Sequence, residues 1–490
     1  MHRLARLQRT VARRLTAPLV WPLALVTLLA TALRIPTLGQ QSLWQDEAYT
    51  WSIVSGPWNE LLDHVRQSEV TPPLVYVVLK AWTGIVGLDA FLLRLPLAIF
   101  GVAAAATVVI VVFELTASRA PAAFAGVLMA TSPMLVWYSQ EARSYELMVL
   151  LAALSALCAL RVHRGGGRRW LARWALCCAA ALLTHYFAVG FVVPEALALI
   201  WLRPVRRLEM GIAVAALLAC AVLLIPLARA QAPTGAWVHG VPLTSRLGQT
   251  EADFVLGPSS GASWTVVDAC AAFALLVIAL GWRASDAASR RLIAIMCATS
   301  AALLAEPLAA VMVGEDFFNA RNVIVALLPL LVALALALVA LRRVGVALLV
   351  AVAVVWSVLA IAPSTFEPWA GRPNWAGLAA ALPTACKGDV LITTPAATPL
   401  EIYEPLPPRS GMAPTRTLLV AKMRSSTAAV ASPPSPPGFR RVAQLTTDTF
   451  VLVTYRSPTP RVPDRAAFAR WLLTPTAALS AIALPDRCAH

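Results

Sequence analysis

Five short segments concentrate the chemically active side chains of an otherwise apolar sequence. Leu43-Trp44-Gln45-Asp46-Glu47-Ala48-Tyr49 carries two adjacent carboxylates. They read either as a solvated acidic loop or as a base at the edge of a low-dielectric cavity, where a carboxylate is suited to proton transfer. Glu69 precedes Thr71-Pro72-Pro73-Leu74. The prolines suit the start of a helix, where no backbone donor is needed, and Glu69 is placed to face the same cavity. Ser139-Gln140-Glu141-Ala142-Arg143-Ser144-Tyr145-Glu146 packs three ionisable groups and a tyrosine between two apolar runs. Ionisable groups at a membrane boundary mark function unless they simply neutralise one another. His185, in Thr184-His185-Tyr186-Phe187, is either an interfacial anchor or a ligand-binding group. Arg321 ends a polar stretch, Gly314 to Asn322, and suits charge-assisted bonds to an anionic head group.

The elements that must position these groups follow from composition. The chain has 490 residues, 59% hydrophobic and only 13% charged, where a soluble protein carries about 25%. Its mean hydropathy is +0.72. Runs near 18 apolar residues read as membrane helices, because about 20 residues cross the hydrocarbon core and lipid forces the backbone to bond internally. Eleven spans are predicted, at 17–34, 92–113, 120–138, 146–162, 170–187, 188–202, 209–227, 263–282, 291–312, 323–340 and 344–361. The apolar stretch 73–88 contains Lys80 and reads as an interfacial helix. Counting it as a span would put every arginine cluster outside.

Without it, Arg119, Arg161 to Arg169, Arg203 to Arg207, Arg283 to Arg291 and Arg342-Arg343 all fall in cytoplasmic turns, as the positive-inside bias requires. The net charge of +15 is therefore a record of topology rather than a nucleic-acid footprint, with anionic lipid as the secondary partner. The expectation is a multi-pass plasma-membrane protein with a cytoplasmic N-terminus. The domains are 1–362, including a first outer loop at 35–91, and an extracytoplasmic 363–490.

That last region is dense in proline and reads as a small α/β domain. Gly388 to Thr393 is a turn entering a strand, and Phe439 to Leu445 and Thr449 to Tyr455 are strands around a short turn. Trp369, Trp375 and Tyr403 suit core packing first and sugar stacking second. Six of the eight cysteines lie in or beside apolar helices, while Cys386 and Cys488 have a disulfide open to them outside the cytoplasm. No ligand set calls for a metal; a divalent ion is not indicated.

In this topology all five segments reach one face. A base beside cationic groups at that face points to a lipid-phosphate-linked substrate. The motifs also carry a resemblance. Arg34, Trp44-Gln45-Asp46-Glu47-Ala48, Thr71-Pro72-Pro73-Leu74, Arg94-Leu95-Pro96, Ser132-Pro133, Ser139 to Tyr145 and Thr184-His185-Tyr186 occur in an order that resembles the GT-C fold glycosyltransferases dependent on polyprenyl-phosphate sugars. The nearest group is the family-39-like one related to dolichyl-phosphate-mannose protein mannosyltransferases. The likeness covers residues 30–200 well and Phe318 to Pro329 moderately; beyond 362 it is architectural.

The resemblance implies an inverting transfer from a polyprenyl-phosphate sugar to the hydroxyl of a glycan, lipid or protein acceptor. Asp46 would be the base and Glu47 its support. Glu69, Glu141, Arg143, Tyr145, His185 and Arg321 would bind substrate, and 48–88 would form juxtamembrane helices. Thr71 departs from the histidine common among relatives, which removes any histidine role there. Competing expectations are a glycolipid transporter with the same polar cavity, disfavoured by the lack of a repeated half, and a receptor or scaffold led by 362–490.

Overall fold

The computed structural model describes residues 19–202, 207–258, 260–365, 372–382, 389–393, 398–404, 414–424, 435–447, 449–464 and 480–484. The chain forms two compact units, Met1–Leu38 with Ile53–Ile361 and Gly39–Ser52 with Ala362–His490. The short stretch with Asp46 and Glu47 thus packs with the C-terminal unit rather than with the rest of the outer loop.

In the membrane unit, helices occupy all eleven predicted positions. Seven of the described helices are long and apolar enough to cross a bilayer: Ala90–Thr116, Tyr145–His163, Arg207–Gly240, Trp264–Ala284, Ala287–Met312, Ala320–Ala340 and Arg342–Ala362. An eighth is a broken pair, Arg119–Thr131 and Pro133–Ser139, bent by 58°. Pro133 starts the second half, where a missing donor costs nothing. Val20–Arg34 and Tyr186–Leu202 are shorter apolar helices. Gly167–Leu182, predicted as a full span, has 16 residues and opens with Arg168 and Arg169. Among the described residues seven or eight helices thus meet the length and composition of a span, against the eleven predicted.

Ala90–Thr116 lies inside the unit against Tyr145–His163, Arg119–Thr131 and Val20–Arg34. Close approach needs small residues: a Cβ at Gly126 would fall 2.4 Å from Val109 and 2.6 Å from Val26. Leu74–Val86 is a separate 13-residue helix. Its Lys80 is buried, and the ammonium donates to the carbonyls of Ile53, Val54 and Gly56. That explains a lysine in an apolar helix: it satisfies carbonyls left open where the helix Gln45–Ser55 ends. The helix starting at Arg207 continues to Gly235, well past the predicted end at 227, in spite of Pro226 and Pro233.

The C-terminal unit is a five-stranded mixed sheet ordered β3-β4-β2-β1-β5, with β1 Val390–Thr393, β2 Thr415–Met423, β3 Arg440–Thr446, β4 Phe450–Arg461 and β5 Ser480–Ala483. β1 and β2 are parallel, and the remaining pairs are antiparallel. The hairpin predicted at 439–455 is β3 and β4. Trp375, Leu378, Leu391, Leu400, Leu419 and Phe450 share its core, so Trp375 packs rather than stacks on sugar. Cys386, Cys488 and Trp369 lie outside the described residues.

Candidate active site

Asp46 and Glu47 sit in the first turn of the helix Gln45–Ser55. The Trp44 N–H donates to Glu47 Oε2 at 3.4 Å, one half of a capping box, which fixes where the helix starts. Glu47 is fully buried, with Arg372 Nε 4.0 Å from Oε2. Asp46 is only half-buried. Neighbours in sequence, the two carboxylates therefore have different surroundings: one is enclosed beside a cation and the other is accessible.

The other six predicted residues belong to the membrane unit. Arg143 donates to both carboxylate oxygens of Glu69, Nη1 to Oε1 at 2.6 Å and Nη2 to Oε2 at 2.7 Å, and both side chains are buried. This fork-to-fork geometry is the strong form of an ion pair. Thr71 and Tyr76 share a buried hydroxyl–hydroxyl bond of 2.9 Å nearby, which is what the threonine does in place of a histidine. Glu141 is fully buried between Pro133–Ser139 and Tyr145–His163.

Tyr145, His185 and Arg321 line one cavity of about 420 Å³. The Arg321 guanidinium lies 5.8 Å from the Tyr145 ring and 5.4 Å from the Trp237 ring, close enough for cation–π attraction. The Asn319 side chain accepts from the Arg321 N–H and caps the turn that presents it. The His185 ring sits 5.7 Å from Tyr145, and its Nδ1 accepts from the Phe187 N–H at 3.3 Å. That leaves the proton of the neutral ring on Nε2. Burial first, and then the charges of Arg143 and Arg321, favour the neutral form of this ring. The site thus combines cations, aromatic faces and a neutral donor, an arrangement suited to an anionic group bearing a flat or ring-shaped substituent.

Several lining residues were not found from the sequence. Arg229, Gln231 and Trp237 come from the extended helix and the 3₁₀ turn that follows it. Ala228, Gln231, Ala232 and Gly235 line the cavity at helical spacing, a pattern that only the structure reveals. Gln231 is buried and fully bonded: Nε2 donates to the carbonyls of Val65 (2.8 Å) and Thr71 (3.1 Å), and Oε1 accepts from the Tyr186 hydroxyl (2.7 Å). Arg246 pins the loop before Arg321 through Asp316 and the Phe318 carbonyl. Asp253 is buried at the end of Leu243–Val255 and acts on Tyr138 together with Glu141 and Arg321. Among the described residues, no three His, Cys, Asp or Glu side chains gather as a metal site.

Residues 70–228 match the family model of the dolichyl-phosphate-mannose-protein mannosyltransferases. Over this segment the chain is similar to that family. The mannosyltransferase-like segment supplies Val70, Tyr145, His185 and Ala228 to the cavity, whereas Arg229, Trp237 and Arg321 lie beyond it. No curated protein sequence matches significantly. Among solved structures, ArnT from Cupriavidus metallidurans bound to undecaprenyl phosphate aligns with a TM-score of 0.49 and 14% identity, covering 88% of this chain and 97% of that one. The Archaeoglobus fulgidus oligosaccharyltransferase AglB, in complex with an inhibitory peptide and a dolichol-phosphate, aligns at 0.42 and 15%, covering 74% and 57%. The S. cerevisiae Pmt1-Pmt2 protein O-mannosyltransferase complex bound to the sugar donor aligns at 0.35 and 13%, covering 41% and 31%. This chain therefore spans less than two thirds of the last two proteins.

Proposed function

We propose that this protein is a membrane glycosyltransferase that moves a sugar from a polyprenyl phosphate to an acceptor hydroxyl on the outer face of the membrane. The observation that carries the reading is the cavity in which Arg321 is braced by Tyr145 and Trp237 beside His185. Its guanidinium would take the phosphate. Arg143, held by Glu69, and Glu141 join the substrate-binding set in this reading. The family match over residues 70–228 supports the same chemistry.

A wholly apolar groove supports a lipid-linked donor. Leu182, Val189, Val193, Leu218 and Ala221 line it between Val189–Leu202 and Arg207–Gly235. Its Val189 lies two residues after the cavity residue Phe187 in sequence, which favours a carrier with its phosphate in the cavity and its tail in the groove.

In the proposed step the acceptor oxygen attacks the anomeric carbon from the side opposite the phosphate. The carbon–oxygen bond to phosphate breaks, the electron pair leaves with the lipid phosphate, and the configuration inverts. Asp46, the accessible carboxylate, takes the acceptor proton, and Glu47 supports it. Preorganised cations at the departing phosphate supply the electrostatic stabilisation.

The test uses purified full chain and a panel of undecaprenyl-phosphate-linked hexoses and pentoses. Wild type should consume at least one donor in detergent, without a second compartment. Asp46→Asn should insert and bind undecaprenyl phosphate but lose turnover. Turnover by Asp46→Asn at the wild-type rate sinks the proposal.

A further inference from the structure

The C-terminal unit has no assigned role, yet it contains the stretch Gly39–Ser52. Its residues hold that stretch at successive points. The Leu43 N–H donates to the Tyr403 hydroxyl at 2.7 Å. Ser42 Oγ donates to Asn374 Oδ1 and accepts from the Ala376 N–H, both at 3.1 Å. The Asn374 N–H is itself anchored on Thr449 Oγ1 at 2.8 Å, beside the start of β4. Arg372 then meets Glu47 in a pair whose side chains are 3% and 0% exposed.

These contacts act on one helix start. Ser42 and Leu43 precede Gln45–Ser55, and Glu47 lies in its first turn. A buried carboxylate is tolerated only when paired, so Arg372 permits Glu47 to be enclosed there. The enclosure of Glu47 in turn fixes the rotation of the helix and hence the side on which Asp46 stays accessible, because adjacent helical positions lie about 100° apart. The tethers come from more than 300 residues along the chain, and their purpose is not met by packing alone: three are directional hydrogen bonds and one is an ion pair.

We infer that the C-terminal unit is the positioning element of the Asp46 helix, and that Arg372, through Glu47, is its principal positioning residue. The inference rests on the proposed role of Asp46 for its catalytic meaning, but its structural content can be tested separately.

Hydrogen–deuterium exchange of the full chain is followed over residues 43–50 in wild type, Arg372→Met, Arg372→Lys and Tyr403→Phe. Exchange there should rise several-fold in Arg372→Met and Tyr403→Phe and stay near wild type in Arg372→Lys, which keeps the charge. Because Arg372→Met removes the counter-charge of a buried carboxylate, Arg372→Met/Glu47→Gln is the companion variant. It should regain the wild-type thermal midpoint yet keep the faster exchange. In donor turnover with the same panel, Arg372→Met/Glu47→Gln should lower kcat at least tenfold and leave KM for the donor within twofold. Wild-type exchange over 43–50 in both Tyr403→Phe and the double variant overturns the inference. Loss of wild-type turnover on every donor would count against the transferase proposal alone, since the exchange result still decides this one.

Discussion

Glu69 and Arg143, 74 residues apart in sequence, close a two-bonded ion pair in which both side chains are buried. It joins the segment before Leu74–Val86 to the turn between the broken span and Tyr145–His163. Removing one partner leaves a buried charge without its counter-ion, a loss of about 3–5 kcal/mol. Arg143→Met and Glu69→Gln should each lower the thermal midpoint sharply. The double variant, which removes both charges, should recover much of it. Additive losses in that cycle would show that the two residues do not act as a pair.

Arg321 should matter to ligand and little to folding. Its guanidinium rests on two rings and faces a cavity, so Arg321→Ala should weaken undecaprenyl phosphate binding by roughly 10- to 100-fold, the worth of a charge-assisted bond. Arg229→Ala should weaken it less, because Arg229 is exposed at the edge of the lining. Titration of purified variants with the lipid phosphate measures both, and equal affinity in Arg321→Ala and wild type would refute the assignment.

Gln231 is placed to hold the cavity wall. Its amide orientation is fixed by what it bonds: a hydroxyl at the oxygen and two carbonyls at the nitrogen. Gln231→Glu would turn a carboxylate toward the Val65 and Thr71 carbonyls. It should destabilise the protein more than Gln231→Leu, which removes the amide's bonds but adds no repulsion. Thermal unfolding of the two variants gives the order.

Asp253 gives a pH dependence. Burial pushes its carboxyl up to about 7, against the lowering effect of the bond from Gln249. In the unfolded chain it titrates near 3.9. The folded state therefore holds the proton more tightly, and stability falls as pH rises from about 4 toward 7. Asp253→Asn should match wild type in thermal midpoint near pH 4 and exceed it increasingly up to about pH 7, then hold a constant margin. A margin independent of pH would contradict this.

Much of the membrane unit could be read in advance. Apolar runs fixed where helices lie, because lipid leaves the backbone no other partner. The strands at 390, 440 and 450 were readable from their turn residues and alternation. What escaped was set by contacts distant in sequence. The predicted span stopped at 227, yet the helix runs through Pro226 and Pro233, and with it Gln231 reaches the cavity. Lys80 looked like a blemish in an apolar helix; its use is explained only by the carbonyls of Ile53, Val54 and Gly56.

The sequence by itself determined that the chain is a polytopic helical membrane protein with a small sheet-containing unit after it. It also singled out eight polar positions in motifs resembling those of a glycosyltransferase family. Those features are local, written in composition, spacing and order. Tertiary structure decided their partners. It gave Glu69 to Arg143 and set Tyr145, His185 and Arg321 around one cavity. It also enclosed Glu47 beside Arg372, 325 positions away, while its neighbour Asp46 stayed accessible. A carboxylate's role depends on which charges and how much water surround it, and those surroundings are assembled from parts of the chain that local sequence does not connect.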